Sequence, residues 1–166
     1  MYQKYTSANT SVNSSRVPSI FKKIDFPAMP NGCVWDWGCG KFNTAKDYVE
    51  KQGFQWAGLD PYNRSEEENK HTWEETTPDV IVCSNVLNVI DNVAVIADLA
   101  NAICEAADFY IGSYFISVYE GDRSGVGHKT KEDCYQRNEK VQAYLRYFPG
   151  AVIKHGVITN APEFVK

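Results

Sequence analysis

No stretch of this 166-residue chain reaches the roughly 18 consecutive apolar residues that a membrane-spanning helix needs, so no membrane span is expected. Nor is there a surplus of positive charge. Seventeen Lys and Arg stand against 21 Asp and Glu, and the net charge of −4 gives no general drive toward nucleic acid, though it leaves room for a local basic patch. Residues 1–16 are polar, rich in Ser, Thr and Asn, and lack the apolar centre of a secretory signal. Cysteine pairing is missing as well. The five cysteines, Cys33, Cys39, Cys83, Cys104 and Cys134, are odd in number and form no CxxC. Neither a disulfide framework nor a zinc site is expected; those inside apolar runs should pack as small reduced hydrophobes. A cytoplasmic location follows as the default.

What is present suffices for one core. The chain is 43% hydrophobic and 13% aromatic, and its length fits a single domain, 1–166. Residues 1–16 read as a flexible arm or a lid. Residues 17–24 (VPSIFKKI) predict a short helix with Ile20, Phe21 and Ile24 on one face. Residues 33–36 (CVWD) predict a buried strand, 43–52 a helix stopped by Gly53, and 54–60 (FQWAGLD) a second strand stopped by Pro61. The acidic stretch 63–77 is assigned a short third strand or none. Residues 79–84 (DVIVCS) form a continuous apolar run, as in a strand covered on both faces. Residues 93–107 carry a helical stripe, and 108–117 (DFYIGSYFIS) predict another buried strand. A Gly-rich loop is expected over 120–127, a helix over 131–148, and one or two strands over 151–158. Alternating strands and helices imply an α/β domain with a mostly parallel sheet, whose ligands bind beyond the carboxyl ends of the strands.

The loops at those ends are therefore the place to look for chemistry. The first runs Asp36-Trp37-Gly38-Cys39-Gly40, directly between a strand and a helix, where two glycines allow a tight turn and close approach to a ligand. Asp60 closes the second strand about 20 residues later, where a carboxylate can accept the hydroxyls of a ribose. Together these point to an adenosine-type cofactor. A dinucleotide fingerprint would need a third glycine where Asn43 stands. Asp36 would also repel a pyrophosphate and would favour a cationic ligand such as S-adenosylmethionine (SAM), with its ammonium and sulfonium groups.

The segments VWDWGCGKFN, GLDPYN and DVIVCSNVLNVI resemble the class I SAM-dependent methyltransferase family. The acidic-x-G-x-G motif of that family falls on Asp36, Gly38 and Gly40, with Phe42 in place of its third glycine, and its ribose-binding acid falls on Asp60. Its fourth-strand motif falls on Cys83, Ser84, Asn85, Val86 and Leu87. The resemblance implies a three-layer Rossmann-like fold with a mostly parallel sheet and an antiparallel terminal strand, here reduced around the third strand. It implies methyl transfer from SAM, leaving S-adenosylhomocysteine, to an unidentified acceptor. Gly38, Cys39 and Gly40 would meet the methionine end, Asp36 its positive charge and Asp60 the ribose, while Ser84 and Asn85 would line the site. Glu74, Glu75 and Thr72 are candidates for contacting the adenine. The Asn/Asp-Pro-Pro-aromatic signature of amino-group methylation is absent after the fourth strand, and Asp60-Pro61-Tyr62 sits on the wrong strand to supply it. Small-molecule or protein acceptors are therefore favoured over DNA amino groups. Methyl transfer needs no dedicated base. If one serves, His128 is the first candidate, with His71 and His155 behind it, and Tyr114 is a candidate for orienting the acceptor or for core packing. The alternatives are a non-catalytic, regulatory or SAM-degrading protein on the same fold, and an NAD-binding oxidoreductase.

Overall fold

The computed structural model describes residues 3–10 and 15–166; residues 1–2 and 11–14 of the expected arm lie outside the described residues. In chain order the elements are α1 (Ser19–Lys23), β1 (Cys33–Trp37), α2 (Thr44–Lys51), β2 (Gln55–Leu59), α3 (Glu66–Glu75), β3 (Val80–Ser84), α4 (Val93–Tyr110), β4 (Ser113–Ser117), β5 (His128–Lys131), β6 (Cys134–Gln136), α5 (Val141–Tyr144), β7 (Val152–Lys154) and β8 (Val157–Thr159). The main sheet runs β2-β1-β3-β4-β8-β7, with β2, β1, β3 and β4 parallel and the last two strands antiparallel; β5 and β6 form a separate hairpin. The chain is thus an α/β protein with a mostly parallel six-stranded sheet, compatible with a Rossmann-like fold.

Alternation along the central strands builds the layers. Val34, Val80, Val82 and Phe115 point to the side covered by Ile20 and Phe21 of α1 and Val49 of α2. Trp35, Ile81, Cys83, Tyr114 and Ile116 point to the other side, against Ile96, Ala100 and Ile103 of α4 and Val141 and Tyr144 of α5. Both faces are buried, as the continuous apolar runs of β3 and β4 require.

Three stretches differ from the sequence expectation. Residues 63–77 hold no strand; they form α3. Its start is a capping box: the Ser65 hydroxyl accepts from the Glu68 N–H at 3.1 Å, and the Glu68 carboxylate accepts from the Ser65 N–H at 2.9 Å. The 108–117 strand is shorter, because α4 runs on to Tyr110 and ends at Ile111 in the left-handed conformation (φ 57°). The apolar run there is partly a helix end: Tyr110 packs on Trp35 with ring centroids 6.1 Å apart, while Phe109 and Ile111 are exposed. The expected helix over 131–148 is replaced by the β5–β6 hairpin and the short α5. Asp133 (φ 53°) and Asn138 (φ 35°) break any helix, and Cys134 and Gln136 turn inward with the period of a strand.

With no strand between β2 and β3 among the described residues, β2 is an edge. Side chains of α3 cover part of that edge. Asn69 pairs with the backbone of Asp60 much as a neighbouring strand would, its Oδ1 accepting the N–H at 2.8 Å and its Nδ2 donating to the C=O at 3.1 Å. One turn on, the buried Thr72 hydroxyl donates to the Gly58 carbonyl at 2.9 Å. Bare strand edges invite pairing with other chains, so these bonds suit a sheet cut short. Replacing Asn69 by Ala should destabilise the protein by about 1–3 kcal/mol, the usual penalty for stranding buried polar groups, as read by urea unfolding. A change within about 0.5 kcal/mol, typical of a surface site, would mean that something else holds the edge.

Candidate functional site

β1 and β3 are adjacent, but the chain leaves β1 toward β2 on one side and returns to β3 on the other, making a switch point at their carboxyl ends. A cavity of about 380 Å³ opens there, a size suited to a small-molecule ligand. Asp36, Gly38, Cys39, Gly40, Asp60, Ser84 and Asn85 all line it, brought together from three strand ends.

The glycine loop is shaped by its own hydrogen bonds. Gly38 and Gly40 have φ of 77° and 68°, which favours glycine. A Cβ on Gly38 would also run into the Val86 side chain. The N–H groups of Gly38 and Cys39 both donate to the Leu59 carbonyl (2.6 and 3.3 Å), and that of Gly40 donates to the Asp60 carboxylate at 2.8 Å. All three loop N–H groups are therefore engaged within the protein.

Asp60 is 6% exposed and heavily bonded. Besides Gly40, its carboxylate accepts from the N–H groups of Tyr62 and Asn63, both at 2.9 Å, and from the Asn63 amide at 3.2 and 3.3 Å. A carboxylate offers about four acceptor sites, so a ribose could gain a place on Asp60 only if the Asn63 side chain moved aside. Asn63 lines the cavity too, next to Pro61 and Tyr62.

Asp36 is in the opposite situation. It is 3% exposed at the cavity wall, and its one hydrogen-bond donor among the described residues is the Trp56 indole N–H at 3.4 Å. Burial pushes its carboxyl up to about 7; the Trp56 bond and the Arg64 charge pull it down and the Asp60 charge pushes it up, without overcoming the loss of water. Cys39, between the glycines, is raised to about 12 by burial first and the Asp36 charge second, so it is a packed thiol rather than a nucleophile.

Several contributors carry no motif. Arg64 donates to the carbonyls of Gly40 (2.9 Å) and Phe42 (3.2 Å) and to the Asn43 side chain (2.9 Å), tying the β2 loop to the β1 loop. The segment 3–10 crosses the cavity, where Gln3, Thr6, Ser7, Ala8 and Thr10 join its lining. That segment is pinned to distant parts of the chain. Lys4 N–H donates to Asp91, Thr6 to Asp133 through both N–H and hydroxyl, and the Ser7 hydroxyl to the Val89 carbonyl at 2.8 Å. Tyr5 stacks on Tyr135 of the hairpin. The adjacent Asp60-Pro61-Tyr62-Asn63 turn and the Ser65-x-x-Glu68 box were the sequence signals that could have placed Arg64 in a structured loop. Nothing comparable marks residues 3–10.

The other candidates stand elsewhere. His128 is exposed on β5, bonded through Nδ1 to the Asn138 amide at 3.1 Å, and does not line the cavity. His71 pairs with Glu75 on the solvent face of α3, and His155 sits in the β7–β8 turn. Glu74 pairs with Lys70, and neither Glu74, Glu75 nor Thr72 reaches the cavity wall. Tyr114 is buried in the core beside Phe148. Among the described residues no cluster of three or more His, Cys, Asp or Glu is placed to hold a metal, and no helix is long and apolar enough to cross a membrane. No protein-family model and no curated protein matches this chain.

The Asp36 geometry has a measurable consequence. Its carboxyl titrates higher in the folded chain than in the unfolded one, so the folded state holds a proton that the unfolded state has released between about pH 4 and 7. The stability linked to this group is complete below that window and falls as pH rises through it, by on the order of a few kcal/mol. Urea unfolding of Asp36→Asn should show this part of the decline removed. Parallel pH profiles for the variant and the unmodified protein would mean that Asp36 ionises freely.

Proposed function

We propose that this chain is a SAM-binding domain of the class I methyltransferase type, which transfers the methyl group of SAM to a small-molecule or protein acceptor. The observation that carries this is the polarity of the glycine loop. Its N–H groups are engaged with Leu59 and Asp60, so Gly38, Cys39 and Gly40 have no N–H left to cradle a phosphate. Among the described residues, the acid that remains under-bonded at the wall is Asp36, which can carry a negative charge toward a ligand. Such a wall favours a cation and disfavours a pyrophosphate, which speaks for SAM over NAD. The position of Asp36, Gly38, Cys39, Gly40, Asp60, Ser84 and Asn85 around one cavity supports the same reading.

When bound, SAM supplies a methyl group made electrophilic by its sulfonium. The protein's part is to hold and to exclude. Asp36 offsets positive charge on the ligand, and the loop between Gly38 and Gly40 sets how closely it approaches. Asp60 fixes that loop, and Asn63 beside it offers the ribose an amide that Asp60 no longer needs once hydroxyls replace it. Ser84 and Asn85 line the wall at the end of β3. The 3–10 segment adds Gln3, Thr6, Ser7, Ala8 and Thr10 to the wall, and the water that a bound ligand displaces there strengthens the electrostatic terms inside the cavity. Positioning and desolvation of this kind suffice for methyl transfer without a general base, in keeping with a lining that contains no histidine.

That lining also supports a second reading, a protein that binds SAM without transferring its methyl group, because Gln3, Thr6, Ser7, Ala8 and Thr10 of the 3–10 segment take up part of the cavity wall. Calorimetric titration of the full chain with SAM, S-adenosylhomocysteine and NAD tests both. The expected result is micromolar binding of the two adenosyl ligands and none of NAD. Asp36→Asn should weaken SAM about tenfold and the uncharged thioether product less, while Asp60→Ala should abolish both by releasing the loop. Failure of SAM and S-adenosylhomocysteine to bind would overturn the proposal. Binding with no methylated product across an acceptor screen would select the second reading.

A further inference from the structure

We propose that Arg64 is the positioning residue of this cavity: it braces the glycine loop and lies over the Trp56 ring whose indole N–H reaches Asp36, so that the carboxyl is held facing the cationic ligand. The inference rests on the cationic ligand proposed above and adds the residue that prepares the site for it.

Four contacts place Arg64. Its Nε and Nη2 donate to the Gly40 and Phe42 carbonyls, Nη2 donates also to Asn43 Oδ1, and Nη1 lies 3.5 Å from the Glu68 carboxylate. The guanidinium carbon stands 5.5 Å from the centre of the Trp56 ring, within the range of a cation–π contact. The Trp56 indole then donates to Asp36 at 3.4 Å. Trp56 and Asp36 lie on neighbouring strands, two register positions apart and so on the same face (Asp36 opposite Gly58, Val34 opposite Trp56), and the sheet itself brings the indole to the carboxylate.

The Arg64 side chain is only 11% exposed, whereas that of its partner Glu68 is 54% exposed. Its charge is therefore little screened by water and only partly answered by Glu68. The titratable and charged groups around Asp36 are Arg64, Asp60 and the thiols of Cys39 and Cys83. Among the described residues Arg64 is the cation that acts on Asp36, although Lys46 Nζ also lies 6.0 Å from the Trp56 ring centre, and both thiols are held neutral by burial. Asp60 works against ionisation of Asp36 and Arg64 works for it. A lysine could supply the charge but not the planar fork that spans two carbonyls and an amide.

Two readouts test this, one without any ligand. In the ligand-free protein, the carboxyl carbon resonance of Asp36, assigned by its loss in Asp36→Asn, is followed by NMR from about pH 5 to 9. The midpoint should move to higher pH in Arg64→Met and stay near the unmodified value in Arg64→Lys. Should Arg64→Met fail to fold, Trp56→Phe, which removes the indole N–H and keeps a ring, should move the midpoint in the same direction. In SAM titrations, Arg64→Met should bind about tenfold more weakly at pH 7 and recover toward pH 9, whereas Arg64→Lys should be weaker by a constant factor at every pH. An Asp36 midpoint that is the same in Arg64→Met, or in Trp56→Phe, overturns the proposal. Loss of SAM binding by the unmodified protein at every pH would instead remove the SAM reading and leave the Arg64 effect on Asp36 to be judged from the resonance alone.

Discussion

The carboxylate of Asp60 joins three parts of the molecule at one buried point. It takes the Gly40 N–H from the β1 loop and the Tyr62 and Asn63 N–H groups from its own turn, while its backbone is bonded by Asn69 of α3. A buried charge is tolerable only when its lone pairs are filled, and here they are filled by backbone groups whose positions are thereby dictated. The shape of the glycine loop follows. With its N–H groups turned to Leu59 and Asp60, the loop is unsuited to a phosphate, and Asp36 becomes the sparsely bonded acid that the cavity presents. The selectivity proposed for the site is thus a consequence of how β1 and β2 are tied together.

The short sheet explains the neighbouring helix. A parallel sheet that ends at β2 exposes a row of backbone groups, and α3 answers them with Asn69 and Thr72. The same helix lays Trp73 against Trp35 and Trp37, with ring centroids 5.0 and 5.1 Å apart. Trp37 also lines the cavity. The polar side of α3 thus closes the edge while its one large apolar side chain packs beneath the site.

Closure of the cavity depends on contacts between residues more than 80 positions apart. Ser7 reaches Val89, Thr6 reaches Asp133, and Lys4 reaches Asp91. Asn88 and Gln136, both buried, bond to each other and to the backbone around Tyr119, fastening the hairpin over the ends of β3 and β4. These links bring polar groups of residues 3–10 to a wall otherwise made by strand ends.

The sequence by itself determined the alternation of β1, α2, β2, β3 and α4, because each is written in a local pattern: continuous apolar runs for strands covered on both faces and a 3.6-residue stripe for α4. It also located the cavity, since Asp36, the two glycines, Asp60, Ser84 and Asn85 stand at strand ends whose order makes them neighbours. The capping box of α3 was legible too, but was hidden by an acidic composition that suggested a loop. Only tertiary structure decided the rest. A helix pattern over 131–148 lost to a hairpin because Cys134 and Gln136 find buried partners at period two, and the apolar run at 109–111 continued α4 because Tyr110 packs on Trp35. The state of Asp36, the saturation of Asp60, the bracing role of Arg64 and the course of residues 3–10 arise from burial and from bonds between distant segments. Hydrogen bonding and desolvation at those points depend on what the fold places nearby, which no local pattern of residues encodes.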